Sequence, residues 1–167
     1  MFPGLIERIS NAGIARPQDL AGMITILRNK PPKSYLSIEV KNNAVEFLEK
    51  EFIIQADRIP KDALVDEKVF RRWLRGLAKA YDLITIDGFG LPLSPTDLWR
   101  FLEGGREKKE TFGEGVGKDY GLSKLKPGTM VILNRADPAC NELWFTLRAR
   151  HDVKFQTQDV GMICLRV

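Results

Sequence analysis

A chain of 167 residues with 44% hydrophobic composition can bury a real core and has the size of one domain or two small ones. No run approaches the roughly 20 apolar residues of a membrane span, and the opening MFPGLIERIS sets an acid beside a base, unlike a signal peptide, so a cytoplasmic protein without membrane contact is expected. A net charge of +4 from 26 basic and 22 acidic residues favours an acidic partner only mildly, so the placement of charge matters more than its total.

Residues 3–12 predict a short helix, with Leu5, Ile6 and Ile9 on one side and Asn11-Ala12-Gly13 as its stop. Pro17 opens a second, with Leu20, Met23, Ile24 and Leu27 at helical spacing before Lys30-Pro31-Pro32, and the two suggest a helical hairpin. Leu36, Ile38 and Val40 alternate as a strand does, and an extended entry followed by a helix from Asn43 to Phe52 is expected. A short helical segment around 60–64 comes next.

The stretch 66–82, DEKVFRRWLRGLAKAYD, separates its residues by face. At about 100° per residue, Val69, Phe70, Trp73, Leu74, Leu77 and Tyr81 share one side, and Lys68, Arg71, Arg72, Arg75 and Lys79 share the other. Its acids, Asp66 and Glu67, lie at the N-terminus, where they complement the helix dipole. The following LITIDGFGLPL reads as two extended runs about an Asp87-Gly88 turn. This order over about 43–91 resembles a winged helix-turn-helix domain, with 66–82 as recognition helix and the hairpin as wing. The resemblance implies that Arg71, Arg72 and Arg75 enter a major groove and that the turn at Asp87-Gly88 lies near the backbone. The wing departs from that pattern, because no Lys or Arg lies between Leu83 and Thr96 and Asp87 would repel phosphate.

Ser94, Pro95 and Asp97 form a box-like helix start before Leu98, Trp99, Phe101 and Leu102, and Gly104-Gly105 stops that helix. Residues 105–126, rich in Lys, Glu and Gly, read as a linker or mobile loop between a helical region at 1–104 and a small β domain at 127–167. In the last part, strands are expected at 129–133, 142–150, 153–157 and 161–167. The fold expected is therefore α+β: a helical, winged-helix-like N-terminal region followed by a small antiparallel β-sheet or SH3-like barrel. On the run 142–150, alternation sets Leu143, Phe145, Leu147 and Ala149 against Trp144, Thr146, Arg148 and Arg150. Trp144 beside Arg148 and Arg150 suits base stacking and phosphate contact.

Function is expected to be non-enzymatic nucleic-acid binding, with duplex DNA held by Lys68, Arg71, Arg72, Arg75, Lys79, Trp144, Arg148 and Arg150, because guanidinium forks suit phosphate oxygens and guanine edges. No cofactor and no metal are expected. One alternative is a protein assembly or adaptor module, homo-oligomeric or with a protein partner, using Trp99, Phe101 and Trp144 as hot spots. Another is a Mg²⁺-dependent nuclease built on Glu39-Val40-Lys41 with Asp19, or on Asp152-Val153-Lys154 with Asp137. The run 112–118 fails as a phosphate loop, since Phe112 stands where glycine is needed and Asp119 follows Lys118. His151 has no paired nucleophile, and Cys140 and Cys164 lack metal-site spacing and read as structural thiols.

Overall fold

The computed structural model describes residues 3–40, 43–106 and 118–166. Its centre is one six-stranded sheet: β1 (Tyr35–Ile38), β2 (Ala56–Arg58), β3 (Leu83–Ile86), β4 (Met130–Asn134), β5 (Asp152–Gln156) and β6 (Val160–Cys164), in the spatial order β2-β1-β3-β4-β6-β5. The first four strands run parallel, β6 runs antiparallel to β4, and β5 runs antiparallel to β6 and so in the direction of the first four. Parallel neighbours need crossovers, and helices supply them. Helices α1 (Pro3–Asn11), α2 (Pro17–Leu27) and α3 (Asn43–Phe52) cover one face, while α4 (Glu67–Gly76), α5 (Pro95–Glu103) and α6 (Pro138–Arg148) cover the other.

Two cores follow from this layering. Val45, Leu48, Leu20 and Ile24 meet Tyr35, Leu83, Ile132 and Met162 on one side of the sheet. On the other, Phe70, Leu74, Leu98, Trp99, Leu143 and Trp144 meet Leu36, Ile84, Ile86, Val131 and Ile163. Because β1 and β3 lie between both layers, every residue in them is buried, and their sequences YLSI and LITI are correspondingly apolar without a solvent-facing alternate.

This architecture corrects the expected winged helix followed by a small sheet or barrel. The segment 83–86 is no wing strand; it is a central strand paired in parallel with β1 and β4. A four-residue apolar run ending in Asp-Gly satisfies a hairpin and a buried parallel strand equally at the local level, and the pairing partners decide. The strand expected at 142–150 is helix α6. Its buried stripe is Cys140, Leu143, Trp144 and Leu147, and Asp137 caps it with Pro138 in the first turn. The strands of 127–167 extend the same sheet that 35–86 begins. Half of the expected linker, residues 107–117, lies outside the described residues, as does most of the rejected phosphate-loop run.

Elsewhere local chemistry and structure agree. Asp66 Oδ1 accepts a 2.9 Å bond from the Lys68 amide at the start of α4, and Ser94 Oγ accepts from the Asp97 amide at α5. Helix α4 stops at Gly76, short of Asp82, as Leu77 turns extended. Among the described residues no helix is long and apolar enough to cross a membrane.

Candidate functional site

Beyond Ile38, β1 leads out to α3 and on to β2 at one edge, while β3 and β4 lie on the other side of β1. The chain thus diverges between β1 and β3. In open α/β sheets this switch point, at the carboxyl ends of the strands, leaves a crevice. Here the crevice is a cleft of about 700 Å³. Its floor carries the residues that end three parallel strands: Glu39 after β1, Asp87 after β3 and Asn134 closing β4. Asn43 and Ala44 of α3 form one wall. Residues 13–16 between α1 and α2, together with Asp19, form another, and Asp159 and Val160 at the β5–β6 turn complete it.

Backbone pairing brings the two floor acids together. Ile38 and Ile86 are register partners, and the Asp87 amide donates to the Ile38 carbonyl at 3.1 Å, so Glu39 and Asp87 emerge side by side from adjacent strands. Glu39 is half-buried. Burial, reinforced by the negative charge of Asp87, raises its carboxyl to about 7, against smaller opposing effects of a Thr85 hydrogen bond and the Arg58 charge. Below it the Thr85 hydroxyl lies 2.8 Å from the Tyr35 phenol oxygen, and burial drives that phenol well above its ordinary range.

The far wall is clasped by polar contacts. Arg16, held in the left-handed region at φ 57°, pairs with Asp159, and Asp19 accepts a 3.2 Å bond from the Thr157 hydroxyl. Among the described residues the lining contains the carboxyls of Asp19, Glu39, Asp87 and Asp159 against the guanidinium of Arg16, which Asp159 already engages. A chain of net positive charge has an acidic cleft. Next to it, Gly88 leaves no room for a side chain: an added Cβ would lie 1.9 Å from Asp137 Oδ2. Asp137 also adds to the burial that pushes the Cys140 thiol up to about 12. Among the described residues, no group of three or more His, Cys, Asp or Glu could hold a metal ion.

The residues expected to bind nucleic acid lie elsewhere and apart. Lys68, Arg72 and Arg75 are exposed on α4, while Arg71 bonds Glu67 at 2.9 Å and covers the Phe101 ring. Lys79 lies past the helix end, 3.4 Å from Asp57. Arg148 and Arg150 belong to the α6 end of the same layer, with α5 between them and α4. Trp144 is fully buried and cannot stack on a base. Trp99 and Phe101, at 4% and 3% exposure, cannot serve as adaptor hot spots either. Of the nuclease acids, Asp152 is held by Arg166 at 2.8 Å on an edge strand, distant in topology from the cleft. Asp19 and Glu39 do line one cleft, although no strand joins them.

Sequence reasoning missed Asp87 and Asn134 as site residues. A usable signal existed: the apolar runs 35–38, 83–86 and 130–133 each end at once in a polar side chain, Glu39, Asp87 or Asn134.

No protein-family model matches the chain, and no curated protein matches it. Among solved structures, it is similar to an SAH-bound methyltransferase of Podospora anserina, at TM-score 0.50 and 14% identity over 99% of this chain and 88% of that one. It is also similar to a candidate O-methyltransferase of Klebsiella pneumoniae, at TM-score 0.47 and 14% identity over 98% and 90%. The first likeness is one of fold, a Rossmann-like α/β sheet with helices on both faces. The winged-helix resemblance falls with it, and so does the non-enzymatic DNA-binding function that rested on that resemblance.

Proposed function

We propose that the protein is a methyltransferase that binds S-adenosylmethionine in the cleft between β1 and β3. The observation that carries this reading is the acidic floor at the switch point of a methyltransferase-like sheet. The donor bears a sulfonium and an ammonium, and Glu39, Asp87 and Asp19 supply carboxylates to hold them. A cleft of about 700 Å³ is of suitable size for such a ligand, and Leu20, Met23 and Ile132 offer apolar surface for its purine.

One departure shapes how the ligand is held. The connection from β1 to α3, Glu39-Val40-Lys41-Asn42-Asn43, contains no glycine, whereas nucleotide-binding loops at this position in doubly wound sheets use glycines to bring backbone against the ligand. Side chains, Glu39 foremost, take over that contact here. When bound, the donor supplies an electrophilic methyl group. An acceptor hydroxyl or amine must shed a proton as it is methylated. The free thiols Cys140 and Cys164 accord with a reducing, cytoplasmic setting.

Titration calorimetry of the purified chain with S-adenosylmethionine at pH 8 tests the reading. Saturable binding in the micromolar range is expected, and absence of binding at millimolar donor overturns it.

A further inference from the structure

The unusual element of the cleft is a pair of carboxyls where glycine-rich backbone would ordinarily meet a nucleotide. Methyl transfer removes one positive charge from the donor: the S–CH₃ bond breaks, its electron pair stays on sulfur, the methyl bonds to the acceptor hydroxyl or amine, whose proton leaves to water, and a neutral thioether remains on a product that keeps its ammonium and carboxylate. Glu39 and Asp87 stand side by side at the strand ends, linked by the backbone bond from Asp87 to Ile38. We propose that this pair sorts ligands by charge, retaining the cationic methyl donor and expelling the neutral thioether product, so that product release is built into the floor of the site. The proposal rests on the cleft being a methyl-donor site.

The surroundings leave Glu39 the means to do this. Among the described residues Arg58 on β2 is an opposing charge that acts on Glu39, and it is already engaged by Glu49 of α3. Thr85 on β3 and Tyr35 on β1 face it as neutral hydroxyls. Across the cleft Asp19 adds a further negative charge, while Arg16 is occupied by Asp159. A ligand that carries the sulfonium therefore relieves the like-charge contact further than the product, which keeps only its ammonium. The burial that raises the Glu39 carboxyl to about 7 makes the preference pH-dependent: it is present above that value and fades below it as Glu39 takes up a proton.

Calorimetric titrations with S-adenosylmethionine and S-adenosylhomocysteine, at pH 8 and pH 6, on the wild type and on Glu39→Gln, decide the matter. At pH 8 the wild type should favour the sulfonium compound by about tenfold, the scale of one partly screened charge contact. That ratio should shrink toward one at pH 6, and in Glu39→Gln it should be small and insensitive to pH. Equal affinity of the wild type for both compounds at pH 8 overturns charge sorting while leaving the methyl-donor reading in place. A preference that survives unchanged in Glu39→Gln also overturns it. Binding of neither compound removes both. The wild-type pH series stands by itself if the variant misfolds.

Discussion

The protein carries two concentrations of charge, and they differ in kind. On α4, Lys68, Arg72 and Arg75 point into water, above an apolar face that does the packing. In the cleft, Glu39 and Asp87 converge from adjacent strands into a half-buried space, where the charge of Asp87 adds to the burial that raises the Glu39 carboxyl. The helix is conspicuous in the sequence because its charges are contiguous. The cleft is inconspicuous because its acids lie 48 positions apart and meet only through the pairing of Ile38 with Ile86. Solvated charge adds little energy, whereas partly desolvated like charge is costly unless a ligand offsets it.

The largest effect should come from the hidden side of α4. Phe70 is fully buried between helix and sheet, so Phe70→Ala should cost about 3–5 kcal/mol, read as a lower urea midpoint. A loss below 1 kcal/mol would mean that α4 is held by its charges after all.

An intermediate effect separates stability from function in the cleft. Because the folded Glu39 carboxyl is raised to about 7 from an ordinary 4.5, the folded state binds more protons than the unfolded chain between those values. Its contribution to stability therefore falls as pH rises through that window and is flat above it. Glu39→Gln removes the buried charge, and at pH 8 it should be more stable than the wild type by about 2 kcal/mol while binding the methyl donor more weakly. Equal melting curves at pH 5 and pH 8 in the wild type would contradict the cause assigned to this shift.

The smallest effect belongs to the exposed face. The triple replacement Lys68→Ala, Arg72→Ala, Arg75→Ala should shift stability by no more than about 0.5 kcal/mol per site and leave donor affinity unchanged. A tenfold change in affinity would tie α4 to the cleft and dissolve the contrast.

Much of the local structure was legible in the residues. Pro17, Ser94-Pro95 and Asp66 mark helix starts by a restricted φ or by capping oxygen, and the structure begins helices there. The same logic was available at Asp137-Pro138, yet the alternation of 142–150 outweighed it. The buried stripe Cys140, Leu143, Trp144 and Leu147 shows a helical period that competes with the period of two in the same residues. Gly161 records the outcome: a Cβ there would lie 2.3 Å from the Trp144 ring, so α6 packs directly on β6.

Composition, caps and periodicity by themselves determined that the chain has a core, where most helices begin, and which face of α4 is apolar, because these depend on neighbours within a few residues. Only the tertiary structure decided that 83–86 is a central parallel strand and not a wing, and that Glu39, Asp87 and Asp19 share one cleft. Parallel pairing joins residues through long crossovers, and nothing local in either strand encodes its partner.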